Sequence, residues 1–402
     1  MCIINSKHNI AEVFVLKRYH QLDSLRGLAA LTVVIHHFVF IFTGWLWLEA
    51  LNYTPLRILK AGHEAVIFFF VLSGFVLSLP FYSAYKKVNV PHFLIKRLCR
   101  IYIPYIVAVL CSILAYLAFY RPGPDSGFSS FFHDVWSTPL SFRLIMDHVI
   151  LLGSFKDYAL DPVLWSLSVE LRISLVFPFI MPLIKNFGWR PSAALALLLS
   201  GSSILLNNLA HPANPSPISS NLYFTLHYLS FFILGALVAK YRINLISAVL
   251  RLSVKMKFAL LLFGLIVYAY AGIGDAVFKR LFSAGGVWLS LAADWGIAFG
   301  VCILITATLS SPKISNLLGK KPVQFLGDIS YSLYLYHSVA LFSCIYAFHN
   351  LLPMWATLSI AMCLSLLASS LSYYFIEKPS IELGKKWTSR PPRRLEEAQE
   401  VV

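Results

Sequence analysis

Arg26 and His37 stand in the first long apolar run of this chain, Leu25-Arg-Gly-Leu-Ala-Ala-Leu-Thr-Val-Val-Ile-His-His-Phe38, where a charged or titratable group is expensive and usually functional. On a helix the two share one face. Their separation of eleven residues, at 100° each, closes to within about 20° of three full turns, and the rise puts the side chains roughly 16 Å apart. That is about half the thickness of a bilayer core. An arginine at one membrane surface with a histidine near the midplane reads as anion capture at the surface and proton chemistry inside. His36 lies about 100° around the helix and reads as a packing neighbour. Asp23, one turn before Arg26, can orient it.

Three further sets of residues belong to the same chemistry. Arg97-Leu-Cys-Arg100 precedes the third apolar run, and at a spacing of three both guanidiniums lie on roughly one face, which suits phosphate, with ordinary positive-inside charge as the alternative. Arg26 emerges at the same surface and would complete a three-arginine site. Glu170, in Leu164-Trp-Ser-Leu-Ser-Val-Glu-Leu-Arg172, lies roughly 12 Å below the outer boundary, near the depth of His37. A buried carboxylate needs a partner: a histidine across the bundle is one, and Arg172 or Ser166 is the structural alternative. His337, in Ile329-Ser-Tyr-Ser-Leu-Tyr-Leu-Tyr-His337, enters to a similar depth, with an interhelical hydrogen bond as its structural alternative. Asp294 and Glu64 are weaker candidates.

The elements that must position these groups are membrane helices. Of 402 residues, 58% are hydrophobic and only 13% charged, and the mean hydropathy of +0.72 is far above that of a soluble domain. Apolar windows recur near 27–47, 64–82, 101–120, 162–184, 192–209, 221–239, 258–272, 287–309, 328–348 and 355–376, which predicts an all-α, polytopic integral membrane protein of about ten helices. The net charge of +15 would suggest nucleic acid in a soluble protein, so its placement decides. With both termini cytoplasmic, the inner segments hold twenty-four lysines and arginines and the outer segments seven. This fits the positive-inside rule and makes a nucleic-acid partner unnecessary. The first helix reads as its own insertion signal, because residues 1–20 are mixed polar. None of the six cysteines falls in an outer loop by this topology, and their spacing implies neither a disulfide framework nor a metal site.

The longest outer segment, 121–161, carries Phe128, Phe131, Phe132 and Trp136. Two readings are open: aromatics covering an acceptor site, or an interfacial segment lying on the membrane. His211–Pro217 reads as a turn. Residues 240–257 read as an amphipathic basic helix on anionic lipid. Residues 1–384 form one transmembrane domain, and 385–402 a charged tail expected to be disordered.

Taken together, six motifs resemble the bacterial acyltransferase-3 family of integral membrane O-acyltransferases, which modify surface and secreted carbohydrates. They are Leu22-Asp-Ser-Leu-Arg-Gly-Leu-Ala-Ala with His37, Phe69-Phe-Val-Leu-Ser-Gly-Phe75, Arg97-Leu-Cys-Arg100, Leu164-Trp-Ser-Leu-Ser-Val-Glu170, the run ending in His337, and Tyr374-Phe-Ile-Glu-Lys-Pro379. The resemblance implies an acyl donor, typically acetyl-CoA, entering from the cytoplasm, with no metal. It also implies a hydroxyl acceptor on a carbohydrate: a polysaccharide, a lipopolysaccharide or a lipid-linked sugar. The setting would be a plasma membrane, the inner membrane of a bacterium. Arg26, Arg97 and Arg100 would hold the CoA phosphates. His37, neutral at pH 7, would be the general base or the nucleophile, and Glu170 would orient its ring. Trp165, Ser166 and His337 would shape the substrate site. Many family members have an acidic residue two positions before the Phe-Phe pair, whereas Ile67 stands here, with Glu64 one turn earlier. The alternative reading is a proton-coupled transporter or exporter using the same His, Glu and Arg groups. It predicts internal repeats, none of which is visible, and gives the arginine pair no role.

Overall fold

The computed structural model describes residues 19–43, 50–83, 88–121, 127–151, 156–210, 221–282 and 287–389. Among these every named element is helical, and the one extended pairing is an isolated bridge between Phe42 and Phe128. In chain order the helices are α1 (His20–Phe40), α2 (Gly62–Ser78), α3 (Val90–Phe119), α4 (Ser130–Asp134), α5 (Phe142–Ile150), α6 (Leu164–Asn186) and α7 (Trp189–Ala210). They continue as α8 (Phe224–Arg251), α9 (Val254–Phe282), α10 (Val287–Ser310), α11 (Pro312–Leu318), α12 (Lys321–Phe348), α13 (Met354–Ser372) and α14 (Lys378–Thr388).

Nine helical stretches among the described residues are long and apolar enough to cross a membrane, and the chain is an all-α polytopic membrane protein. The predicted window at 328–348 falls in α12, which is not among the nine. At 28 residues it is long enough, but Ser330, Ser332, Tyr334, Tyr336, His337 and Ser338 lower its apolarity. All six are buried inside the bundle, so this polarity faces protein rather than lipid.

The largest helix–helix contact is α1 on α12, and two glycines permit it. A Cβ on Gly27 would strike the backbone nitrogen of Gly327, and one on Gly327 would strike the Asp23 carbonyl. Small residues let two backbones approach this closely in a membrane, where packing rather than water drives association. The helices run parallel at a constant offset of 300 residues. Gly27 therefore meets Gly327, and about 15 Å further along both axes His37 meets His337. The same device joins α2 to α8, where Gly74 lies against the Phe232 backbone and Gly235 against the Val71 carbonyl.

Two connections differ from their sequence reading. The basic stretch 240–257 is not a separate interfacial helix: α8 continues to Arg251 and α9 begins at Val254. Its first lysine has a defined task, because Lys240 Nζ donates to the carbonyls of Ile184 (2.8 Å), Lys185 (2.9 Å) and Phe187 (2.5 Å). These are the free carbonyls at the C terminus of α6, where a cation is favourable. At the chain's end α14 runs to Thr388, so residues 385–388 of the segment read as a tail are helical. Residues 390–402, the turn His211–Pro217 and residues 122–126 and 152–155 of the outer segment lie outside the described residues.

What is described of the outer segment folds inward. Phe132 and Trp136 are fully buried, packed on Phe342 and Tyr346 of α12 at centroid distances of 5.3–5.9 Å. Trp136 adopts φ +62°, a left-handed conformation that is strained for a bulky side chain. Its indole nitrogen donates to the Leu160 carbonyl at 2.8 Å. The segment thus caps the outer end of the α1–α12 pair.

Candidate active site

A cavity of about 560 Å³ is lined by α1, α2, α3, α6, α12 and α14. Arg100, Lys378 and Lys385 line one end of it, the end that the positive-inside reading of the sequence assigns to the cytoplasm. Its inner end is apolar and aromatic, formed by Val66, Phe69, Ser166 and Tyr334.

All three predicted arginines line this cavity, but in different states. Arg26 is held by α12: its Nε donates to Ser330 Oγ (2.8 Å), its Nη2 donates to the Gly327 carbonyl (3.1 Å), and Asp23 Oδ1 lies 3.5 Å away. Arg97 pairs with Glu170 at 2.8 Å, with side chains only 12% and 19% exposed. Ser73 also donates to that carboxylate, at 3.2 Å. Arg100 makes no hydrogen bond or close ion pair among the described residues, and the nearest compensating charge it feels is the Glu377 carboxylate of the same cavity. The cavity is not uniformly basic, because Asp23, Glu170, Asp328, Glu377 and Glu382 line it too.

The predicted histidine does find a partner across the bundle, but not Glu170. His37 Nδ1 lies 2.8 Å from His337 Nε2, with the rings within 9° of coplanar and their centroids 5.1 Å apart. That is an in-plane hydrogen bond, edge to edge. His337 is fully buried, and its Nδ1 is 2.9 Å from the Leu333 carbonyl. Phe131 of α4 lies parallel to His37 at 5.6 Å and 12°. His36 meets His37 edge-on at 5.5 Å and is tied to the Lys60 carbonyl at 2.7 Å. Neither His37 nor His337 lines the cavity. One aromatic layer lies between: Phe69 and Tyr334 pack edge to face at 5.7 Å, and Tyr334 is 6.2 Å from the His337 ring.

Glu170 is thus corrected in its geometry: it serves Arg97 at the cavity wall, because the electrostatic gain of a guanidinium exceeds that of a neutral imidazole. Arg172 donates to the Leu151 carbonyl (3.1 Å) and Thr225 Oγ1 (3.4 Å). Trp165 does not reach the cavity. It is buried behind Phe70, packed on Tyr228 at 5.5 Å. Ser166 does line the cavity, donating to the Val163 carbonyl (3.0 Å) and bonded to the Tyr334 hydroxyl (2.6 Å). Glu64 pairs with Arg57 at 2.8 Å, and Asp294 bridges His63 (2.7 Å) and His227 (3.2 Å). Both acids lie away from the cavity.

Sequence reasoning missed Tyr334, Ser330 and Glu377. Glu377 is buried and accepts from Ser332 Oγ at 2.8 Å. It ends the π-helical turn Tyr373–Glu377, a widened turn often found at functional sites. Its signal was available, since an acid inside the apolar Tyr374-Phe-Ile-Glu-Lys-Pro379 run is costly unless used.

Comparison with known proteins gives a consistent match. The family profile described as Acyl_transf_3, acyltransferase domain, matches residues 19–374. O-acetyltransferase OatA of Staphylococcus aureus (strain MRSA252) is 26% identical over 95% of this chain and 60% of its own length. The putative peptidoglycan O-acetyltransferase YrhL of Bacillus subtilis (strain 168) is 25% identical over 92% and 56%. The peptidoglycan O-acetyltransferase OatA of Listeria monocytogenes is 23% identical over 79% and 48%. The chain therefore spans only about half to three-fifths of the length of these relatives. No solved structure matches.

Proposed function

Because this chain belongs to the Acyl_transf_3 family of acyltransferases, we propose that it moves an acyl group, acetyl by its relatives' names, from a cytoplasmic acyl-CoA to a carbohydrate hydroxyl of the cell envelope. Peptidoglycan is the acceptor those names suggest, and the membrane would be the one bordering the cytoplasm. The observation that carries this reading is a single line of groups: an arginine without a hydrogen bond of its own among the described residues, at one end of a cavity whose other end is one aromatic layer below a paired histidine.

Arg100, with Lys378 and Lys385 at the same end of the cavity, holds the donor's phosphates. Arg26 is clamped to α12, and Arg97 to α6, so each is already in place without ordering cost. The apolar inner end suits the acyl arm. For the thioester to reach His37, the contact between Phe69 and Tyr334 opens. His37 then takes the acceptor hydroxyl's proton as its oxygen attacks the thioester carbonyl. The C–O bond forms, the C–S bond breaks, and the departing thiolate recovers the proton from His37. Positioned proton transfer of this kind supplies about 10²–10⁴-fold. Glu170 acts through Arg97, not on the ring.

The test is transfer of label from radiolabelled acetyl-CoA to envelope carbohydrate, in membranes with matched levels of wild type, His37→Ala or Arg100→Ala. Label lost in His37→Ala and restored in Arg100→Ala by raising donor concentration is expected. Equal labelling by all three would sink the assignment and favour transport.

A further inference from the structure

We infer that His337 is a positioning residue that holds His37 as its Nδ1–H tautomer, so that Nε2 alone offers a lone pair to the acceptor hydroxyl. The argument starts from a carbonyl. The Leu333 oxygen can only accept, so the proton between it and His337 Nδ1, 2.9 Å away, sits on Nδ1. A neutral imidazole with Nδ1 protonated has its lone pair on Nε2. His37 Nδ1 is 2.8 Å from that atom and must donate to it. The proton of His37 is therefore on Nδ1, and its Nε2 is the basic nitrogen. One backbone carbonyl sets the tautomer of two rings in series.

The surroundings keep this arrangement. The 9° angle between the rings lets the lone pair of His337 Nε2 lie along the His37 Nδ1–H bond. Phe131 parallel to His37 and His36 against its edge oppose rotation about the ring axis. His37 Nε2 makes no hydrogen bond among the described residues. No carboxylate pairs with either ring among the described residues, so this is not a Ser-His-Asp arrangement. When Nε2 gains the hydroxyl proton, the charge is shared only with His337 through the Nδ1–H bond. His337 itself exchanges no proton in the cycle.

This deepens the acyl-transfer reading and rests on it for its catalytic meaning, but the tautomer can be read without any turnover. The full chain, labelled with ¹⁵N-histidine and held in lipid bilayers, is examined by solid-state NMR at neutral pH, with His37→Asn used for assignment. Expected is a His37 ring with a pyrrole-type Nδ1 and a pyridine-type Nε2. A protonated Nε2 would overturn the inference. Kinetics supply the second arm. His337→Leu should lower kcat by about 10²-fold or more with the donor KM within about twofold, as loss of tautomer control does in other histidine catalysts. His337→Gln, whose Oε1 can accept from His37 Nδ1, should restore at least about tenfold of that loss. A defect confined to KM, or Gln no better than Leu, counts against the inference. If His337→Leu fails to fold, the wild-type spectrum and the Gln variant still decide. A pyrrole-type Nδ1 in a protein that transfers no acyl group would uphold the tautomer and reject the reaction.

Discussion

The two ends of the α1–α12 pair solve opposite electrostatic problems. At the end that holds the cavity five basic side chains face five acidic ones, and Arg97, whose side chain is only 12% exposed, is matched to Glu170 at 2.8 Å. Burying permanent charge is tolerable only when it is paired. At the outer end the two imidazoles pair with each other inside an aromatic enclosure, with no permanent charge to compensate. The contrast suggests a division of labour. A ligand that stays charged is met by fixed charges, whereas a proton that is held only briefly is met by groups that are neutral before and after.

The comparison breaks most decisively at the outer end. His37→Ala should lower acyl transfer by about 10³-fold while leaving donor binding intact, measured as labelled product against equilibrium binding of labelled donor. Loss of binding as well would show that the ends are not separate. Next is Glu170→Ala, which strands Arg97. It should cost about 3 kcal/mol of stability, as removing one partner of an enclosed pair does, seen as a lower melting temperature in detergent, and should weaken donor binding. An unchanged melting curve would mean that the pair is not needed for packing. Arg100→Ala is smaller and purer: about a tenfold higher donor KM, steeper salt sensitivity lost, and kcat unchanged. Phe131→Ala should alter kcat/KM for the acceptor by less than about tenfold, the scale of one aromatic contact, without affecting the donor KM.

A test by pH rather than by activity concerns Asp161, in the connection before α6. It is buried, accepts from Ser338 Oγ at 2.6 Å and from the Val163 amide at 3.2 Å, and its Oδ2 has no partner. Burial pushes its carboxyl up to about 7 from 3.8. The folded state therefore favours the protonated acid, and this contribution to stability is complete below pH 3.8 and lost as pH rises through about 7. Melting temperature should fall between pH 5 and pH 8 less steeply in Asp161→Asn than in wild type. Identical slopes would remove Asp161 from the balance.

Much of the site was legible as residue types and depths. The eleven-residue interval between Arg26 and His37 put them on one helix face, because helical periodicity is local. The intramembrane cost of Glu170 and His337 marked them for the same reason. What failed was the pairing. Glu170 and His37 were read at one depth, yet depth does not say which helices are neighbours, and the carboxylate was claimed by Arg97 of α3. Trp165 shares a motif with Ser166 and Glu170 but points away from the cavity, since adjacent helical residues diverge by about 100°. The basic 240–257 segment was misread because its charges lie at the ends of two spans rather than along one surface helix.

The sequence by itself determined a helical membrane protein, its family and the chemical groups available, because hydropathy and motif order are properties of the chain as written. Only the tertiary structure decided who meets whom. Gly27 against Gly327 sets α1 and α12 in register at an offset of 300 residues, and that register, made by backbone contact between distant parts of the chain, is what brings His337 to His37.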